Sequence, residues 1–133
     1  MRNARWQELS SGECRKLLAG RRLGRVAVID DDGPAMFPVS YAVDRDAVLF
    51  RAADWPKLPA QIVLQVDDLD ETGGSGWSVT VRGEAIEVDE PNELDDLRRL
   101  HLRGDGGYVR VHKASIRGHR IARQADLPSN YLG

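Results

Sequence analysis

Apolar and polar residues alternate with a period of two over most of this 133-residue chain, and helical spacing takes over in two short stretches. The first helical stretch opens with Ser10 as N-cap, Glu13 three residues later, and Leu9 and Cys14 as an apolar staple around them. Cys14, Leu17 and Leu18 continue one narrow stripe, and Gly20 is a natural stop. So short a helix needs a larger body to pack on, and it is expected as a lid on a sheet. Leu23 to Ile29 is rich in Val and Ile, and Asp31-Asp32-Gly33 signals a hairpin turn. Ala35, Phe37, Val39, Tyr41 and Val43 alternate with Met36, Pro38, Ser40 and Ala42, which predicts a second strand. After a turn at Asp44-Arg45-Asp46, Ala47 to Ala53 completes an up-down-up meander.

Pro56 and Pro59 break the pattern between Asp54 and Pro59, because a proline interrupts the interior of either regular element. Ile62 to Leu69 resumes as a strand with Ile62, Leu64 and Val66 on one face. A Gly-rich loop at 71–76, expected to be flexible, leads into what reads as the longest strand, Trp77 to Asp89. Its apolar positions change parity from Trp77, Val79 and Val81 to Ile86 and Val88, which predicts a β-bulge at Gly83. Leu94, Leu97 and Leu100 suggest a second short helix within 90–102. A last strand region covers Tyr108 to about Ile121, interrupted near Lys113-Ala114-Ser115. The expected fold is mainly β: a closed or nearly closed six-stranded antiparallel barrel with two short helices. It forms one domain over 1–133, with tails at 1–6 and 124–133.

Composition narrows the function. A hydrophobic content of 41% suffices for one modest core, and no apolar run is long enough to span a membrane. The lone Cys14 leaves no internal disulfide, and the N-terminal residues lack the apolar centre of a secretory signal, so a cytoplasmic location is expected. The formal net charge is −2, yet the charge is divided. Eleven acidic residues face one Arg82 between Asp67 and Asp96, whereas eight Lys or Arg face one Asp105 between Arg98 and Arg123. Such a division suits an anion site, a self-complementary dimer surface, or two solvated faces of opposite sign. The acidic segment and the scarcity of aromatics argue against nucleic acid as the partner of the basic one.

Several devices are absent: a Walker-type phosphate loop, a dinucleotide GxGxxG fingerprint, and paired cysteines for zinc. His101, His112 and His119 lack the i, i+4 spacing of a helical metal site, and the acidic run at 67–71 lacks that of a calcium loop. Cys14, on the apolar helix stripe, reads as a buried thiol. Two features point further. Pro38 cannot donate a ladder hydrogen bond, so its strand is expected to be unpaired on one side, leaving backbone groups of Val39 and Ser40 to meet a flat ligand. Arg51 and Lys57 flank a strand end and together could receive a phosphate. Ordinary readings stand beside these: an edge strand for Pro38, and surface charges for the two cations.

The order of segments resembles a known family. Leu-Gly-Arg-Val-Ala-Val at 23–28, Phe-Pro-Val-Ser-Tyr-Ala-Val at 37–43 and Val-Leu-Phe-Arg at 48–51 come first. Gly-Trp-Ser-Val-Thr-Val-Arg-Gly-Glu-Ala at 76–85 and Ile-Arg-Gly-His-Arg-Ile at 116–121 follow. Together they resemble the pyridoxamine 5′-phosphate oxidase-like, FMN-binding split-barrel family, in its small actinobacterial-type branch. The resemblance implies a homodimer with small-molecule and cofactor sites at the subunit interface. The cofactor is usually FMN, in some branches a deazaflavin, in a few haem or nothing. It also implies that Pro38, Val39 and Ser40 lie along the isoalloxazine edge, that Arg51 and Lys57 bind the phosphate, and that Trp77 comes from the adjoining subunit. No side-chain acid or base is implied, because the flavin itself moves the hydride.

The chain departs from the family between Arg51 and Ile62, where Ala52 replaces a usual Thr and about one and a half helical turns are missing. Two readings therefore compete. One is an FMN- or deazaflavin-dependent oxidoreductase acting on a small molecule. The other is a cofactor-poor split barrel that serves as a ligand-binding or dimeric interaction module.

Overall fold

The computed structural model describes residues 4–44, 47–51, 60–88 and 107–123. Seven strands and one helix occur among them: β1 (Ala4–Glu8), α1 (Ser11–Ala19), β2 (Leu23–Asp30), β3 (Gly33–Asp44), β4 (Ala47–Arg51), β5 (Gln61–Leu69), β6 (Gly76–Val88) and β7 (Tyr108–Arg123). The strand order is β1-β7-β4-β3-β2-β5-β6, and β6 also pairs with β7. That last pairing closes six strands into an antiparallel barrel, with β1 added beside the far end of β7. Closure removes most of the sheet edge and explains how so short a chain buries a continuous core.

The core follows the predicted alternation. Val26 and Val28, Val39 and Tyr41, Val48 and Phe50, Ile62, Leu64 and Val66, and Trp77, Val79 and Val81 all point inward. The opposite positions form the outer face of the barrel. The β2–β3 hairpin closes through Asp31-Asp32, and Gly33 takes φ +106°, a conformation open to glycine at little cost. The loop expected to be flexible is tied instead. Asp70 accepts from the backbone N–H groups of Thr72 and Gly73 through its carboxylate, and from that of Gly74 through its carbonyl. The acidic run is thus spent locally: Asp68 pairs with Arg21, and Asp67 lies 4.0 Å from Arg25.

α1 begins as expected, with the Ser10 hydroxyl accepting from the Glu13 backbone N–H at 3.2 Å. It packs on the barrel with Cys14 and Leu18 fully buried. Gly118 of β7 makes this approach possible, since a Cβ there would stand 2.7 Å from Cys14 Sγ and 3.0 Å from the Ser78 carbonyl. At the other end of the helix, buried Tyr41 donates its hydroxyl to the Leu18 carbonyl at 2.5 Å, satisfying one of the acceptors that a helix C-terminus leaves open. Burial pushes the Tyr41 phenol well above its ordinary range, and the nearby Arg21 charge offsets this only in part.

Three expectations need correction. β6 stays in unbroken register with β5 from Gly76 to Glu84, and the bulge lies on its other neighbour. Arg82 pairs with Ser115 but Glu84 pairs with His112, so two residues of β7 oppose the single Gly83. Ile86 and Val88 had suggested a parity change because both are apolar, yet they belong to the outer face. Secondly, β7, with 16 residues, is longer than β6 with 13. Thirdly, Ala4 to Trp6, expected as tail, pair with Arg123 to Ile121 in β1. The helix expected within 90–102 and the tail at 124–133 lie outside the described residues.

Candidate outer-face ligand site

An outer barrel face ordinarily carries polar residues, yet one stretch of it buries an apolar cluster. Leu49 of β4 is 1% exposed, and Val88 of β6 and Tyr108 of β7 are buried with it. The pairing explains the grouping. Leu49 lies opposite Arg110, Arg51 opposite Tyr108, and across the other side of β7 Arg110 and Tyr108 lie opposite Ile86 and Val88. Residues paired in this way point to the same side of the sheet. The result is a floor of Leu49, Tyr108 and Val88 with two arginines, Arg51 and Arg110, set into it.

Both arginines are half-buried, and the Nε atom of each is shielded from solvent. The Arg51 guanidinium carbon lies 4.7 Å from the centre of the Tyr108 ring, within cation–π range. That contact restricts the side chain before any ligand arrives. A planar, permanently charged group so held can accept a phosphate or carboxylate in a bidentate manner.

β3 brings the next residues. Its pairing with β4 runs from Asp44–Ala47 to Tyr41–Phe50, so Ser40 and Arg51 are the next positions on the two strands. Pro38 and Ser40 pair with Arg25 and Leu23 of β2 and share the outer face with Arg51. Beyond Tyr41, β3 has no described partner on the β4 side. Val39 turns its side chain into the core at 7% exposure, so only its backbone is available along this edge. Pro38, Ser40 and Arg51 therefore come together. Trp77 does not join them within the chain: it is 8% exposed, in the core, at the far end of β6 from Val88, with the Arg21 guanidinium 5.9 Å from its ring centre. Lys57 lies outside the described residues.

The sequence reading missed Leu49, Val88, Tyr108 and Arg110 as site residues. A signal was present in Tyr108-Val109-Arg110-Val111, whose two valines face the core and so commit the Tyr and Arg to the outside. Elsewhere the chemistry is quiet. Burial raises the Cys14 thiol pKa, with a smaller contribution from the Glu13 charge, which disfavours the reactive thiolate. Among the described residues no group of three or more His, Cys, Asp or Glu side chains is placed to hold a metal ion. No described helix is long and apolar enough to cross a membrane.

Comparison with known proteins finds relatives over most of the chain. The family model described as pyridoxamine 5′-phosphate oxidase matches residues 10–122. An uncharacterised protein of Mycobacterium tuberculosis is 32% identical over 103 residues, spanning 70% of this chain and 68% of the relative. The structure of an FAD binding protein from Mycobacterium smegmatis superposes with a TM-score of 0.72 at 35% identity, covering 88% of this chain and 98% of the other. A structure from Corynebacterium glutamicum, provisionally assigned as a pyridoxamine 5′-phosphate oxidase, gives a TM-score of 0.75 at 27% identity over 89% and 99% of the two chains.

Proposed function

The chain belongs to the pyridoxamine 5′-phosphate oxidase family, and from that premise we propose that it is a flavin-dependent oxidoreductase acting on a small molecule, with the flavin phosphate held at Arg51. The single observation that carries this reading is the Arg51 guanidinium braced over Tyr108 on an apolar outer face, beside the stretch of β3, holding Pro38 and Ser40, that has no described partner on the β4 side. A flavin needs these two things, an anion receptor and a flat edge lined by backbone groups. The similar Mycobacterium smegmatis protein is an FAD binding protein, which supports a flavin as the ligand class.

In this reading the chain's own residues bind and orient. Arg51, with Lys57, neutralises the phosphate, and the backbone of Pro38, Val39 and Ser40 offers polar groups along one ring edge. The bound flavin supplies hydride transfer, so no protein acid or base is required. A second copy of the chain closes the site as a homodimer. Leu23, Met36 and Ile29, 71%, 62% and 77% exposed on the same outer face, give such a contact an apolar surface.

The test is the absorbance spectrum of the purified protein, followed by titration with FMN and with FAD monitored by flavin fluorescence. A bound flavin chromophore or saturable quenching is expected. Arg51→Met should weaken binding by about 10-fold or more, since hydrogen bonds to charged groups are worth ~1.5–3 kcal/mol. A colourless protein indifferent to both flavins would overturn the reading and leave a cofactor-poor binding module.

A further inference from the structure

The division of charge along the sequence resolves unequally in the fold. Asp67, Asp68 and Asp70 of the acidic stretch are engaged within the chain, by Arg25, by Arg21 and by their own loop. Arg82, the one cation in that stretch, stands instead beside the basic segment. On the outer face of the β6–β7 ladder Thr80 lies opposite Arg117 and Arg82 opposite Ser115, so the two arginines are diagonal neighbours. Such neighbours lie roughly 7–8 Å apart at the backbone, close enough for long side chains to act together. Both arginines are exposed, and neither makes an ion pair or a side-chain hydrogen bond among the described residues. The other two corners carry hydroxyls, Thr80 and Ser115, and the next row is Ser78 opposite His119. Ser78 accepts from Gln65 Nε2 at 3.2 Å, which leaves its own proton available to donate. These six positions hold donors and no carboxylate. The acidic positions around them are Glu84 next along β6, Glu8 opposite His119, and Asp67 opposite Ser78.

We infer that Arg82 and Arg117, with Thr80 and Ser115, form an anion site separate from Arg51, and that its ligand is a linear polyphosphate group. Two neighbouring cations without a counter-charge repel each other, and an anion that engages both relieves the repulsion. A guanidinium meets phosphoryl oxygens with paired N–H donors, and the hydroxyls can donate to the oxygens that remain. One phosphate on one exposed arginine gains little, because water and salt screen the pair. Linked phosphates reach the second arginine without a second loss of translational freedom, which favours a chain of them over a single ion. The spacing of the two cations is set by ladder register. The β7 bulge lies between this square and the Glu84–His112 pair, where it bends the ribbon. Arg51 is remote: its partner Tyr108 lies opposite Val88, roughly 20 Å along β6 from Arg82 at about 3.3 Å per residue. The inference is therefore independent of the flavin reading.

The experiment is calorimetric titration of the full chain with tripolyphosphate at low salt, and with orthophosphate beside it. Tripolyphosphate should bind at least about 10-fold more tightly than orthophosphate, and added salt should weaken it. Arg82→Met and Arg117→Met should each weaken it by about fivefold, the upper range for an exposed ion pair. Arg25→Met removes a cation of the same outer face that already sits beside Asp67, and should change the affinity by less than about twofold. Adenosine triphosphate separates the sources of the group. Tighter binding than tripolyphosphate assigns a nucleotide, and equal or weaker binding assigns the free polyphosphate. Absence of binding at millimolar tripolyphosphate, equal affinity for orthophosphate, or an Arg25→Met loss as large as the other two would overturn the inference.

Discussion

Tyr41 shows how much one side chain can tie together. Its ring fills the barrel core, and its hydroxyl donates to the last turn of α1. Tyr41→Phe should cost ~1 kcal/mol, the usual worth of one such bond. It should also change the response to alkali. The folded-state pKa is raised, so the group's contribution is fully present below the ordinary phenol value of about 10. Above that pH the unfolded phenol ionises while the buried one keeps its proton, the unfolded state binds fewer protons, and stability falls as pH rises. Melting temperatures measured from pH 8 to 11 should fall less steeply for Tyr41→Phe. A Cys14→Ala background is the right one, because the raised thiol adds a slope of the same sign. Gly118 makes the complementary case, where absence of a side chain is what matters. Gly118→Ala forces a methyl group against Cys14 Sγ, the Ser78 carbonyl and Val79, and should destabilise by ~1–3 kcal/mol as an overpacked site. Adding Cys14→Ala removes the nearest of these contacts. Thermal denaturation of the double variant should therefore show a loss smaller than the sum of the two single losses.

Elements were legible wherever a local rule set them. The Ser10 cap, the Asp31-Asp32 turn and the inward residues of β2, β3, β5 and the first half of β6 follow from spacing alone. Ser10→Ala should cost ~1 kcal/mol, readable as a lower melting temperature with unchanged far-ultraviolet dichroism at low temperature. What escaped the sequence reading depends on partners distant in the chain. β1 carries only a weak apolar pattern and exists because β7 offers it an edge. The outer cluster was hidden because Val88 and Ile86 look like core residues until the register shows which face they occupy. Arg110 was visible only as one member of a basic segment, since nothing local reveals that Leu49 and Ile86 flank it. Half of the candidate site could thus be read in advance, the β3 edge and Arg51. The rest required the three-strand juxtaposition of β4, β7 and β6.

At the scale of the whole molecule, the outer face runs continuously from the exposed Ile29, Met36 and Leu23 on β2 and β3 to the buried Leu49, Tyr108 and Val88. A homodimer using the exposed part leads to a direct expectation. Light scattering at micromolar concentration should give twice the chain mass, and Ile29→Glu should shift it toward the monomer while leaving the barrel folded. The bulge on β7 gives this molecule a further property. On its early side Val109 and Val111 face the core, and on its later side Ile116 and Gly118 do, so the inward positions pass from odd to even numbers. The bulge absorbs one extra residue between two half-strands, one that carries the arginine face and one that seats the helix. Deleting a single residue at 113–114 would leave one residue opposite Gly83 and turn the bulge into regular pairing. Val109, Val111, Ile116 and Gly118 would all still face the core, and Tyr108 and Arg110 the outside, with the local bend and twist reduced. The bulge thus bends β7 where the arginine half meets the helix half, without changing which side chains face out.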